Sequence, residues 1–476
     1  VKPDAIFELE PLSYTSCLPG VVAVSSALSP ETWPFSLEWL PRSACLVGGT
    51  VRDALLGRQG DYLDLDFVLP EDAIATAEAI ARHYKAGYVL LDAERQIARV
   101  VFNQGTVDFA KQVGPTLITD LERRDFTVNA IAYNPHTDQL IDPLHGYSDL
   151  QKRQLRMVSA VNLEEDPLRL LRAFRQAAQL GFIIEEETRQ TIRSLAPLLN
   201  RIASERIQSE MNYLLSTAKG TSWLAKACKD GLLRDWMPDV NATSLETVAE
   251  IDRLFFWFQQ SLPHFAEILS SRIKNLPRTT RTGAPAHPST PRLSENLEMK
   301  SAGVSRTWLS TAKLVSLLPD NIPTAEAQLR RLKYSRTEIQ AVNVILKFLP
   351  ELFRGLASGR QTDAAELESP SLRWQYTFFQ AVGGTFPAVA LLAIARGLPV
   401  EQVLPLIYRF LNPDDPVAHP QALLTGQDIM CHLKLPPGPH IGQILAAIQL
   451  ARAEGRIATA AEALMLAGDW VKNQES

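Results

Sequence analysis

The sequence predicts an α+β protein: a small mixed α/β head, then a helical neck, body and tail. Three observations predict it. Short runs rich in Val, Leu and Phe, bounded by Gly or Asn, crowd the first third of the chain. Helix punctuation dominates beyond about residue 150. With 46% hydrophobic and 21% charged residues, the 476-residue chain can bury proper cores. That excludes a disordered, collagen-like or mucin-like chain.

Taken in order, 44–47, 64–69, 99–103 and 106–109 read as strands. A helix begins near Thr50, straight after Gly48-Gly49. Asp166-Pro167, then an apolar-periodic run to Gly181, carries a helix's signals: Asp as N-cap, Pro in the first turn, Gly past the end. The stretch from Pro277 to Pro291 holds Pro, Thr, Arg and Ser and reads as a loop or linker. A weaker break lies near Leu356–Pro370, and no repeat of about 20–50 residues is visible. The expected domains are an N-terminal extension (1–30), a head (31–150), a neck (151–220), a body (221–355, with a loop at 277–303) and a tail (356–476).

Other function classes recede on composition. The longest apolar run, Phe386 to Ala395, falls short of the ~20 residues of a membrane-spanning helix. Asp4, Glu8 and Glu10 do not suit a secretory signal. Cys17, Cys45, Cys228 and Cys431 are scattered, so neither a zinc site nor a disulfide framework is expected, and a reducing cytoplasm fits. The formal charge of -5 argues against indiscriminate nucleic-acid binding but leaves room for a local basic surface.

The segment Leu46 to Gly57 runs from a strand through Gly48-Gly49 into a helix. Two glycines let the backbone approach a ligand, a helix start presents N–H groups to an anion, and Arg52 adds a charged fork. A tight turn is the plain alternative. Asp64 and Asp66 follow, two apart and therefore on one strand face. Side-by-side carboxylates repel unless a cation lies between them or one takes a proton, and hard oxygen donors suit Mg²⁺. An exposed strand face is the alternative. Asp108, on the next predicted strand, is a candidate third carboxylate for two-metal phosphoryl transfer, or simply a strand-end acid.

Further on, Arg123, Arg124 and Asp125 adjoin an apolar run that contains Asn129. A half-buried amide there needs a partner. Arg169, Arg172 and Arg175 recur every three residues beside an apolar stripe of Leu168, Leu171 and Phe174. Three arginines in register suit a triphosphate or an RNA backbone; a solvated face paired with Glu164 and Glu165 is the alternative.

In combination these blocks resemble the class II tRNA nucleotidyltransferases: the CCA-adding enzymes and their bacterial poly(A) polymerase relatives. The family's patterns follow one another in order from about residue 44 to 215: GGxVRDxLLG, DxD, RRDFTxNA, DPxxGxxDL (Asp142, Gly146, Asp149), EDPLRxLRAxR, LGF and ERIxxE. The tail from Leu424 to Gly455 resembles the C-terminal segment of longer members. The resemblance implies a polymerase-β-like nucleotidyltransferase head on a seahorse-like helical protein. It implies catalysis at Asp64, Asp66 and Asp108, with two Mg²⁺ ions on Asp64 and Asp66. The nucleotide-binding set would be Gly48, Gly49, Arg52, Arg124, Asp125, Asn129, Asp166, Arg169, Arg172 and Arg175, with Asp166 and Arg169 reading the base.

The implied partners are the acceptor arm and elbow of tRNA, with CTP and, for full CCA addition, ATP. One departure matters. Only 109–122 separate the third acidic strand from RRDFT, so the family's usual loop bearing Arg and Glu is missing. Such shortening marks members that add only the two cytidines, which implies a separate A-adding partner enzyme. Full CCA addition, poly(A) addition and a catalytically silent RNA-binding scaffold are the other readings. No His-Asp dipeptide occurs, so a metal-binding His-Asp phosphohydrolase domain is not expected.

Overall fold

The computed structural model describes residues 15–16, 27–58, 62–216, 219–273, 306–357 and 370–475. The loop expected at 277–303 and most of the break at 356–370 lie outside the described residues. The chain divides into two compact units. One comprises Val1–Ile202 and Lys229–Leu232; the other comprises Ala203–Cys228 and Leu233–Ser476.

The first unit is built on an eight-stranded sheet. Its strands are β1 (Thr15–Ser16), β2 (Cys45–Val47), β3 (Leu63–Leu69), β4 (Gly87–Asp92), β5 (Ile97–Val101), β6 (Gly105–Lys111), β7 (Ala132–Asn134) and β8 (Gln139–Ile141). The order across the sheet is β1-β8-β7-β2-β3-β6-β5-β4. Among the described strands of this sheet, β3 and β6 pair in parallel and the other pairings are antiparallel. A parallel pair needs a long crossover, and helix α2 (Ala73–Tyr84) with β4 and β5 supplies it. Leu65, Phe67, Val107 and Phe109 point to the buried face. There Phe67 stacks on Phe109 at 5.6 Å, and Trp33 and Phe35 close the cluster.

The strand expected at 99–103 runs instead from Ile97 to Val101. The chain turns directly afterwards, with the Phe102 N–H donating to the Gly105 carbonyl at 2.8 Å. Gly105 is required there, because a Cβ would stand 2.6 Å from the Leu63 carbonyl oxygen. Helix α1 (Gly49–Leu55) starts where the glycine pair suggests, and α3 (Leu117–Leu121), α4 (Gly146–Gln151) and α5 (Ala160–Glu165) follow after the central strands.

Past residue 150 the described residues form helices joined by turns, apart from the short strands β9 (Gln154–Leu155) and β10 (Ile183–Ile184). Helix α6 (Leu168–Leu180) begins later than Asp166 as N-cap would have it: Pro167 holds the cap position with helical backbone angles. Asp166 still accepts from the Leu168 N–H at 3.3 Å, and Gly181 ends the helix at φ 71°. Helix α7 (Glu186–Leu195) carries Arg189 and Arg193, which both bind the buried Asp230 carboxylate, at 2.7 and 2.8 Å. Asp230 lies in the short segment by which the chain returns to the first unit.

The second unit is helical. The helix Phe386–Ala395 is apolar all round, and every residue from Phe386 to Ile394 is buried, as such a helix requires. It packs against helices Ala242–Ser261, Trp308–Ser316 and Arg336–Ala357. The stretch Leu372–Ala395 has the length and hydropathy of a membrane span, but 72% of its apolar window is buried inside the protein. A turn at Gly383–Thr385 also breaks it. Lys313, 2% exposed, donates to the Leu215 carbonyl at 3.2 Å and pairs with Asp252, which also accepts from Thr221. The last three helices enclose a separate apolar cluster that includes Ile429, Ile444, Ile448 and Ala463.

Candidate active site

The polar face of the β3–β6 pair carries the acids. The parallel register sets Asp64 beside Thr106 and Asp66 beside Asp108. Because alternate residues face opposite ways, the run that buries Leu65 and Phe67 also turns both aspartates to the other side. Asp64 accepts from the Thr106 hydroxyl at 2.6 Å. Asp108 is clasped by Arg99 of β5, whose Nε and Nη2 donate to its two oxygens at 2.6 and 2.7 Å. Burial pushes the Asp66 carboxyl up to about 7, and the charges of Asp64 and Asp108 push the same way. Arg124 and Arg99 oppose that rise without overcoming it.

Gly48 joins β2 to α1 at φ 74°, a left-handed conformation that glycine adopts without strain. A Cβ there would lie 3.3 Å from Arg124 Nη1 and 3.6 Å from Asp66 Oδ2, so the turn brings backbone, cation and carboxylate together. Thr50 donates its hydroxyl to the Asp64 carbonyl at 2.5 Å and ties the helix start to β3. Beside this turn opens a cleft of about 440 Å³ lined by Gly49, Thr50, Arg52, Tyr62, Asp64 and Asp66, among others.

Arg52, Asn129, Asp125 and Arg172 form one hydrogen-bonded chain. Arg52 Nη1 donates to Asn129 Oδ1 at 2.7 Å, while its Nε and Nη2 hold Asp53. Asn129 Nδ2 donates to Asp125 Oδ1 at 2.9 Å and to Gln176 Oε1 at 3.0 Å. The expected half-buried amide thus finds three partners, one of them Gln176 on α6. Arg172 Nη1 reaches Asp125 Oδ2 at 3.4 Å. Burial alone would raise the Asp125 carboxyl. Arg172, the Asn129 amide and the Phe126 N–H more than offset it and hold it below its ordinary value.

Arg124 is anchored by Asp120 at 3.2 Å. Arg169 Nη1 donates to the carbonyls of Arg123 and Asn162, at 2.9 and 3.0 Å. Arg175 turns to Gln179 on its own helix at 2.8 Å. Glu165 lies 3.9 Å from Arg123 rather than serving the α6 arginine stripe. Asp166 and Arg169 are outside the lining of the 440 Å³ cleft and stand at the start of α6.

The DPxxGxxDL block packs on the turn Thr127–Asn129, which carries Asn129. Asp142 accepts from the Gly146 and Tyr147 N–H groups at 2.7 and 2.9 Å, and Asp149 accepts from the Thr127 hydroxyl at 2.6 Å. Gly146 packs so closely that a Cβ would meet the Thr127 carbonyl oxygen at 2.2 Å. Sequence reasoning missed Arg99, Thr106, Asn162 and Gln176. Their roles depend on strand register and helix docking, and no local motif marks them.

The Asp64 and Asp66 pair fits a hard divalent cation. It offers hard oxygens on one strand face; burial first, and then the neighbouring charges of Asp64 and Asp108, raise Asp66, and a bound cation offsets both by favouring the ionised carboxylates. Among the described residues no three His, Cys, Asp or Glu side chains gather as a metal-binding group.

Comparison with known proteins identifies the family and the fold. The poly(A) polymerase head-domain family matches residues 44–156. An RNA- and SrmB-binding site family of polymerase A matches 181–243, and tRNA nucleotidyltransferase domain 2 matches 304–467. A CC-adding tRNA nucleotidyltransferase of Synechocystis sp. is 44% identical over 92% of this chain and 96% of its own. A CC-adding enzyme of Geobacter sulfurreducens is 30% identical, covering 88% of this chain and 90% of its own. An A-adding enzyme of Deinococcus radiodurans is also 30% identical, covering 91% and 96%. The fold matches the solved structure of a Thermotoga maritima CCA-adding enzyme complexed with tRNA, with a TM-score of 0.63, 20% identity and 90% and 91% of the two chains covered. Likeness of this extent along the whole chain makes the protein an enzyme of the tRNA nucleotidyltransferase family.

Proposed function

We propose that this enzyme adds cytidines to the 3′ end of tRNA from CTP, without a template and with release of pyrophosphate, in the cytoplasm. The observation that carries the CC-adding reading is the connection between β6 and helix α3 (Leu117–Leu121). Residues 112–116 bridge it in a tight, bonded turn. The Gln112 N–H donates to the Leu69 carbonyl at 2.7 Å, the Val113 N–H to Asp120 at 3.0 Å, and Thr116 caps α3. This turn stands where longer members of the family carry a loop, and the 44% identical relative is itself CC-adding. A terminal adenosine would then come from a separate A-adding enzyme.

Asp64 and Asp66 would hold Mg²⁺, which when bound favours ionisation of the RNA 3′-hydroxyl and steadies the phosphoryl charge. Asp108 stands beside Asp66 and is held by Arg99 through an ion pair at 2.6 Å. Arg124, held by Asp120 and facing Gly48, is placed to meet the triphosphate, with Gly49 and Arg52 on the cleft side. Asp125, Asn129 and Arg172 brace that arrangement, and Arg175 extends the cationic stripe. Asp166 would accept from the exocyclic amino group of cytosine while Arg169 donates to ring acceptors. Uracil and guanine present the opposite polarity to this pair, so selection needs no template. The acceptor arm and elbow of tRNA would lie along the helical body and tail, held through shape and phosphate contacts.

Mass spectrometry of products tests this reading, with Mg²⁺ and two tRNA substrates, one lacking CCA and one ending in CC. Growth by two cytidines on the first and no adenosine on the second is the expected result. A terminal adenosine would establish full CCA addition, and a long adenosine ladder would establish poly(A) polymerase. No addition by the wild type, with tRNA binding unchanged in an Asp64→Ala/Asp66→Ala double variant, would establish a silent binder.

A further inference from the structure

Strands β5 and β6 pair so that Arg99 opposes Asp108, and β6 pairs with β3 so that Asp108 neighbours Asp66. Arg99, Asp108 and Asp66 therefore form one row across three strands, with Asp64 and Thr106 alongside. Both oxygens of Asp108 accept from Arg99 in a fork-to-fork pair at 2.6 and 2.7 Å, with the two side chains 31% and 18% exposed. That geometry is the strong, directional form of an arginine–carboxylate pair. Its hydrogen bond to Asp108 holds the Arg99 guanidinium firmly in the charged form; burial opposes this, and the charges of all three aspartates reinforce it. The group of three acids, Asp64, Asp66 and Asp108, thus has its own counter-ion, attached to the one acid that the Asp-x-Asp pattern does not supply.

We propose that Arg99 is a positioning residue that sets the cation capacity of this site. It keeps Asp108 out of metal coordination, so that Asp64 and Asp66 alone are the protein donors and the enzyme without nucleotide binds a divalent cation weakly. Further oxygens for a second ion then come from the triphosphate. The inference rests on the reading of Asp64 and Asp66 as metal donors. Removing the guanidinium has two effects: it frees two carboxylate oxygens, and it deletes a positive charge that repels the incoming ion. Each effect tightens binding. A cross-strand ion pair that only stabilises the sheet would leave cation binding unmoved.

The test is titration calorimetry with Mn²⁺ as the probe, without nucleotide or RNA, on wild type, Arg99→Met and Arg99→Met/Asp108→Asn. Arg99→Met should bind Mn²⁺ about tenfold more tightly than wild type, as expected when one unit charge a few ångströms from the ion is removed. The double variant should lose most of that gain, since the freed carboxylate is gone. Equal affinity in wild type and Arg99→Met overturns the inference while leaving Asp64 and Asp66 as donors. Absence of binding in all three proteins overturns the metal reading itself, and the inference with it. If circular dichroism shows Arg99→Met unfolded, Arg99→Lys replaces it. That variant keeps the charge but loses the fork, so its affinity should rise by a smaller factor, and an unchanged value overturns the proposal.

Discussion

At Asp66 the folded protein keeps a proton that an unfolded chain would release. Its carboxyl titrates near 7 rather than 3.8. Across that window the folded state binds more protons than the unfolded state, so stability falls as pH rises from about 4 to about 7 and stays lowered above it. Asp66→Asn removes this cost. The metal-free variant should melt several degrees above wild type near pH 8, the gap closing toward pH 4, while nucleotidyl transfer drops to background. Equal melting at pH 8 would contradict the electrostatic account. The same proton competes with the cation, so Mg²⁺ affinity in wild type should rise as pH passes upward through about 7. Arg169 is a second residue-scale test. Arg169→Lys keeps the charge but loses the planar fork. Losing one charge-assisted hydrogen bond costs about 1.5–3 kcal/mol, so kcat/KM for CTP should fall about tenfold to a hundredfold. Discrimination against UTP should narrow with it, and an unchanged ratio would remove Arg169 from base reading.

Elements explain why some of this is legible in the sequence and some is not. In β3 the apolar residues alternate with acids, and that alternation by itself sets Asp64 and Asp66 on one face. β4 gives no such sign: Tyr88, Val89, Leu90 and Leu91 are all exposed at a sheet edge, so no inside–outside pattern marks the strand. Asp108 is recognisable as an acid on a neighbouring strand. That Arg99 occupies it is not, because their pairing follows from a hairpin turn two residues earlier than the sequence suggests. The short strands β7 and β8 likewise carry too few residues for a pattern. The α6 stripe is legible as amphipathic, with Leu168, Leu171 and Phe174 buried as expected, but not which acids its arginines meet. Gly146 gives the element-scale prediction. It lets α4 (Gly146–Gln151) press on the turn that holds Thr127 and Asn129. Gly146→Ala forces backbone apart and should cost about 3 kcal/mol or slightly more, read as a lower midpoint in urea. A shift under about 1 kcal/mol would mean the turn is more compliant than its geometry suggests.

On the scale of the whole molecule, the chain's order and its arrangement in space part company at residues 229–232. Burial alone would raise the Asp230 carboxyl; hydrogen bonds from Arg189 and Arg193 hold it below the ordinary value instead. Its stabilising contribution is therefore complete above 3.8 and fades as pH falls below that value. Asp230→Asn should cost about 2 kcal/mol at neutral pH, with the difference from wild type shrinking in acid; a calorimetric series from about pH 7 to pH 3 checks it. The helical content past residue 150 is legible from the sequence, yet this return is not, since nothing local distinguishes a linker that passes by from one that docks. Its docking bears on how the gene can be divided. A fragment ending at Ile202 has every strand of the sheet but takes the Asp230 carboxylate from Arg189 and Arg193, and leaves Arg193 with the 3.9 Å pair to Glu186 on its own helix. The missing piece is small enough to be offered separately: a short peptide carrying Lys229 to Leu232 becomes a complement in trans, and rescue of the fragment by that peptide would make one buried aspartate the join on which splitting the enzyme depends.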